Sequence, residues 1–93
     1  MIKVKQMTND YGRGIPNQFI IKTDDATYFQ SYKSIIAKKT CDGTDKITLD
    51  KTYWDYSKTT AKYRNRFLGM TTQEIKKAIK SGQIELVDLN SNA

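Results

Sequence analysis

Apolar and polar positions alternate along the first half of the chain and recur at helical spacing in much of the second. Residues 1–7, Met-Ile-Lys-Val-Lys-Gln-Met, put Ile2, Val4 and Gln6 on one face of a predicted strand and Lys3 and Lys5 on the other. The next ten, residues 8–17, hold two glycines and the only proline, Pro16, and read as a loop. Gly12-Arg13-Gly14 lacks the rest of a dinucleotide fingerprint and precedes no helix, so it reads as an ordinary connection. Strand character returns at 18–22, breaks at Thr23-Asp24-Asp25, and resumes at 26–32 with Tyr28, Gln30 and Tyr32 on one side. A further strand at 34–40, a turn at Cys41-Asp42-Gly43-Thr44 and a short strand at 46–49 complete an antiparallel meander over 2–50.

The period changes after Asp50. Ser57 is placed to cap a helix running to about Leu68, with Gly69 as its C-terminal stop. Thr71-Thr72-Gln73-Glu74 is a capping box, Ile75, Ala78 and Ile79 follow at helical spacing, and Gly82 ends that second helix. Ile84 and Leu86 then alternate with Glu85 and Val87 in a closing strand over 83–89. The order β-β-β-β-β-α-α-β predicts a single α+β domain over 1–93, with a small antiparallel sheet of about five to six strands and both helices, within 57–81, packed on it.

Charge then sharpens the picture. The 93 residues include 16 Lys and Arg against 10 Asp and Glu, a net charge of +6, which favours an anionic partner. At about 100° per residue, Lys58, Lys62 and Arg66 fall in a narrow arc of the first helix with Asn65 beside them. Thr60, Tyr63, Phe67 and Leu68 fall opposite, with Arg64 at their margin. No acidic residue occurs between Ser57 and Met70, and the second helix adds Lys76, Lys77 and Lys80 against Glu74 alone. The candidate binding face is therefore Lys58, Lys62, Arg64, Asn65, Arg66, Lys76, Lys77 and Lys80. Asn65, Arg64 and Arg66 are the side chains suited to reading base edges. Tyr53, Trp54 and Tyr56 could stack on unpaired bases, but aromatics at a sheet-to-helix junction more often pack, and Trp54 is expected to anchor the core.

Catalysis has little to work with. The chain has no histidine, which removes Ser-His-Asp and Cys-His nucleophile systems and the commonest general base near neutral pH. The lone Cys41 cannot form an internal disulfide and has no activating base. Asp55, Tyr56 and Lys62 are the best set an enzyme could draw on, and they form no recognised constellation. A non-enzymatic protein without cofactor or metal is expected. No apolar run approaches the roughly 20 residues of a membrane span, and the first residues lack the apolar core of a signal peptide, so no membrane partner and a cytoplasmic setting are expected.

Two segments carry a resemblance. Phe29-Gln30-Ser31-Tyr32-Lys33-Ser34-Ile35-Ile36-Ala37 resembles an F-x-S-Y-x-[ST]-x-[IV]-A strand, and Trp54 to Leu68 resembles [WY]-x-Y-S-x-T-T-x-K-[HY]-x-x-x-F-L. Small phage and prophage proteins of no assigned activity share both, over roughly residues 28–82. Tyr63 stands where those sequences often carry histidine, which argues against an essential base or ligand there. The resemblance implies a phage origin but transfers no activity; small phage proteins of this length commonly act by stoichiometric binding, here expected in the cytoplasm of a bacterial host. Nucleic acid or a nucleoprotein complex is the expected partner. The alternative is a host defence protein, as for an anti-CRISPR or other anti-defence inhibitor; the pattern leaves oligomeric state open, a homodimer included.

Overall fold

A computed structural model describes residues 2–40 and 46–90. The turn expected at Cys41-Asp42-Gly43-Thr44 and the end of the polar tail lie outside them. The elements are β1 (Lys3–Thr8), β2 (Gly14–Lys22), β3 (Ala26–Ser31), β4 (Ser34–Thr40), β5 (Ile47–Asp50), α1 (Lys58–Leu68), α2 (Thr72–Ser81) and β6 (Ile84–Val87). Six strands form one sheet in chain order, β1-β2-β3-β4-β5-β6. Every neighbouring pair is antiparallel except β5 and β6, which run parallel because both helices intervene and return the chain to the same end. The fold is thus α+β, as the pattern predicts.

Local chemistry fixes the helices where the sequence places them. Ser57 Oγ accepts from Thr60 N at 3.1 Å, and Gly69 closes α1 in the left-handed region at φ 67. Thr71 and Glu74 exchange the two bonds of the capping box, 3.2 and 2.8 Å. Phe29, Ile36, Ala37, Leu49, Ile75 and Ile84 form the centre of the core between helices and sheet, with the Phe67 ring stacked on Phe29 at 5.8 Å between centroids. Among the described residues, no helix is long and apolar enough to cross a membrane.

Two strand details differ from expectation. β2 begins at Gly14, so the loop is only 9–13 and Pro16 lies within a strand. The register steps from Gln6↔Phe19 to Thr8↔Gly14, so two residues along β1 match five along β2. Pro16 and Asn17 fall in that excess, where no ladder bond from the proline nitrogen is required. Asn17 adopts φ 66, and its carbonyl accepts from Tyr32 N at 2.7 Å. Tyr32 itself leaves β3 for the turn, at φ 58.

The sheet has a covered and an uncovered face. Cross-strand partners share a face, so the row Lys5, Ile20, Phe29, Ala37, Leu49 and Leu86 lies on the helix side. Val4, Ile21, Tyr28, Lys38, Thr48 and Glu85 lie on the other. The alternation in β1 therefore has the predicted period but an unexpected direction. Ile2 and Val4, 69% and 64% exposed, point away from the helices, while Lys3 and Lys5 share the helix side. α1 packs over β3 and α2 against β6, while β1 is the edge strand of the sheet.

Candidate functional site

Arg64, assigned from the sequence to the binding face, is fully buried. Its guanidinium Nη1 donates to Trp54 O at 2.6 Å and Asp55 Oδ1 at 3.1 Å; Nη2 donates to Asn65 Oδ1 at 2.9 Å and Thr72 Oγ1 at 3.1 Å; Nε donates to Asn65 Oδ1 at 3.1 Å. Arginine has five N–H donors, and all five are used. The guanidinium also lies over the Trp54 ring, 5.2 Å from its centroid. Arg64 thus ties the segment before α1 to the start of α2 and has no donor left for a phosphate or base.

Asn65 is drawn into the same cluster, its Nδ2 donating to Thr72 Oγ1 at 3.0 Å, so it too is removed from base reading. Trp54 packs against the core as expected. Tyr53 and Tyr56 do not: both are exposed, and they meet edge to face at 5.7 Å with an interplanar angle of 81°. The loop of residues 51–57 before α1 sets them against each other.

The remaining predicted cations divide between two places. Lys58, Lys62 and Arg66 are exposed on α1, and Lys62 lies 5.4 Å from the Tyr63 ring centroid. Lys76, Lys77 and Lys80 are exposed on α2, which packs on β6 at the end of the sheet opposite β1. The eight candidates therefore do not form one face.

Arg66 instead meets residues absent from the predicted set. It lines a cleft with Lys5, Gln6, Met7, Thr8 and Ile20. An adjoining cleft, sharing Lys5 and Ile20, adds Lys3 and Lys22. Lys3↔Lys22 and Lys5↔Ile20 are cross-strand pairs, so the three lysines stand on the helix side of β1 and β2 with Arg66 above them. Among the described residues, no carboxylate lines either cleft. Like charges paired directly across strands, as Lys3 and Lys22 are, cost stability. The sequence did signal part of this groove, because Lys3 and Lys5 share one face of a strand; which face the helices would cover was not legible.

Other charged groups are satisfied within the fold. Lys39 Nζ donates to Phe67 O at 2.9 Å and sits 4.3 Å from the Phe67 ring centroid, capping the end of α1. Asp50 is buried and accepts from Thr52 N, Tyr53 N and Leu89 N at 3.0, 2.8 and 2.8 Å. Burial alone would raise its pKa, but hydrogen bonds from Leu89, Tyr53, the Asn90 side chain and Thr52 together hold it below the ordinary carboxylate value. Asn90 continues that clasp, its side chain bonding both Ile35 N and Ile35 O.

A model described as a family of unknown function (DUF8033) matches residues 2–84, and the chain belongs to that family. The match takes in both the Arg64 cluster and all four cations of the groove. No curated protein and no solved structure matches the chain.

Proposed function

We propose that the chain is a small non-enzymatic accessory protein that binds nucleic acid, free or within a nucleoprotein, by holding backbone phosphates in the groove of Lys3, Lys5, Lys22 and Arg66. The reading rests on one observation: four cations from β1, β2 and α1 converge on two adjoining clefts that, among the described residues, no carboxylate lines. Lys62 and Lys58 continue the positive charge along α1. The motif resemblance supports a phage or prophage origin and work in the cytoplasm of a bacterial host. A second reading, an anti-defence inhibitor bound to a host protein, draws on the exposed Tyr53 and Tyr56 pair, since tyrosines are common anchors of protein interfaces.

Salt dependence tests the first reading. Four phosphate contacts predict a loss of about a hundredfold in duplex affinity between about 50 and about 200 mM salt, read by fluorescence anisotropy with labelled DNA and RNA. Lys5→Ala with Arg66→Ala is expected to reduce the log–log salt slope by about two. No binding at the lower salt would overturn the proposal and turn attention to a protein partner.

A further inference from the structure

The tip of the β1–β2 hairpin, residues 9–13, is exposed throughout. Tyr11 is 90% exposed. An exposed tyrosine forgoes the roughly 2 kcal/mol that burying a large apolar side chain contributes. Yet the backbone that carries it is held in place. Asn9 Oδ1 accepts from Tyr11 N at 2.9 Å and from Arg13 N at 3.0 Å. Asn9 N donates to Arg13 O at 2.8 Å, Gly12 N donates to Asn9 O at 3.0 Å, and Gly12 takes the left-handed φ of 78 that the turn requires. Asn9, Tyr11 and Arg13 line one shallow cleft, and Asp10, the carboxylate of the tip, does not.

The tip is continuous with the cationic groove. Lys5, Gln6, Met7 and Thr8 line the groove beside Arg66, and Asn9 follows directly. At about 3.3 Å per residue, the stretch from Lys3 along β1 to Asn9 just beyond it covers about 20 Å, room for several successive phosphates. A rigid ring and a guanidinium at one end of a phosphate track form a stacking platform with an adjacent anion clamp. A base inside a duplex presents only its edge, whereas an unpaired base presents its face.

We infer that the hairpin tip is the base-contacting end of the nucleic-acid site: Tyr11 stacks on an unpaired base, Arg13 holds the adjoining phosphate, and the ligand is single-stranded. This rests on the phosphate-groove reading above. Anisotropy with a labelled single-stranded oligonucleotide and a duplex of the same length, on the full chain, tests it. Single-strand binding is expected to be tighter, to fall about tenfold in Tyr11→Ala, the worth of one stacked base, and to stay within about twofold in Tyr11→Phe, which keeps the ring. Duplex binding is expected to be unchanged in Tyr11→Ala. If Tyr11→Ala binds the single strand as the unaltered chain does, or loses both ligands equally, while Lys5→Ala with Arg66→Ala still weakens binding, the tip assignment is wrong and the groove stands. If the unaltered chain binds neither ligand, both readings fall together.

Discussion

Arg64 and Arg66 stand on the same helix with one residue between them, and they end in opposite circumstances. Arg64 is enclosed, stacked over Trp54, with each N–H donor on a protein oxygen. Arg66 is exposed and joins Lys3, Lys5 and Lys22 on clefts that no carboxylate of the described residues lines. The first arginine holds elements of the fold together. The second joins three lysines at the edge of the sheet. A cation whose hydrogen bonds are internally complete is a structural part, and one surrounded by other cations is a surface looking for an anion.

The sharpest way to separate the two is to make the same change at both. Arg64→Lys keeps the charge but cannot reproduce a five-donor fork, and truncating a buried hydrogen-bonded ion partner costs about 3 kcal/mol. For a chain of this size that lowers the thermal midpoint by about 12 °C or more, measured by circular dichroism. Arg66→Lys, which preserves the one property the groove uses, is expected to leave the midpoint unmoved; an equal fall in both would erase the distinction.

Asp50 extends the contrast to an inward anion. Asp50→Asn leaves one oxygen to serve donors now shared by two, and is expected to cost about 2 kcal/mol near neutral pH. Because the folded pKa is lowered, this carboxylate's contribution is complete above the ordinary carboxylate range and is lost as pH falls through the folded value. Midpoints measured from pH 7 downward should therefore converge for Asp50→Asn and the unaltered chain under acid conditions. Parallel curves would mean that the clasp does not depend on charge.

The smallest expected effect concerns the outward cations themselves. Lys76→Ala, Lys77→Ala and Lys80→Ala combined remove three charges at the β6 end of the sheet, away from β1. Affinity for nucleic acid near physiological salt is expected to change by about twofold, since exposed charges more than a Debye length apart are largely screened. A larger loss than that from Lys5→Ala with Arg66→Ala would move the interface back to α2.

The strands, the helices and their caps were legible because each depends on local chemistry: the β-branched and aromatic run at 18–22, Ser57 and Gly69 around α1, the Thr71 and Glu74 exchange at α2. The start of β2 was not, because Pro16 and two glycines signal a loop to any local reading, while a bulge in the register accommodates them in a strand. Helical spacing put Arg64 at the margin of the apolar side, which is correct as an angle. It could not supply Trp54 O, Asp55 and Thr72, the oxygens that make burial of the charge favourable. The groove was illegible for a different reason: alternation shows that Lys3 and Lys5 share a side, but only the packing of α1 decides what lies across from them.

The edge position of β1 has a consequence for self-association. Its outer row of backbone groups faces no other strand of the sheet, and such an edge can template pairing with another molecule. Two copies meeting edge to edge, antiparallel about Val4, would set Lys3 of one directly across from Lys5 of the other on the same face. That repulsion opposes this edge-to-edge pairing, so the charges proposed to grip a ligand would also guard the strand edge beside them.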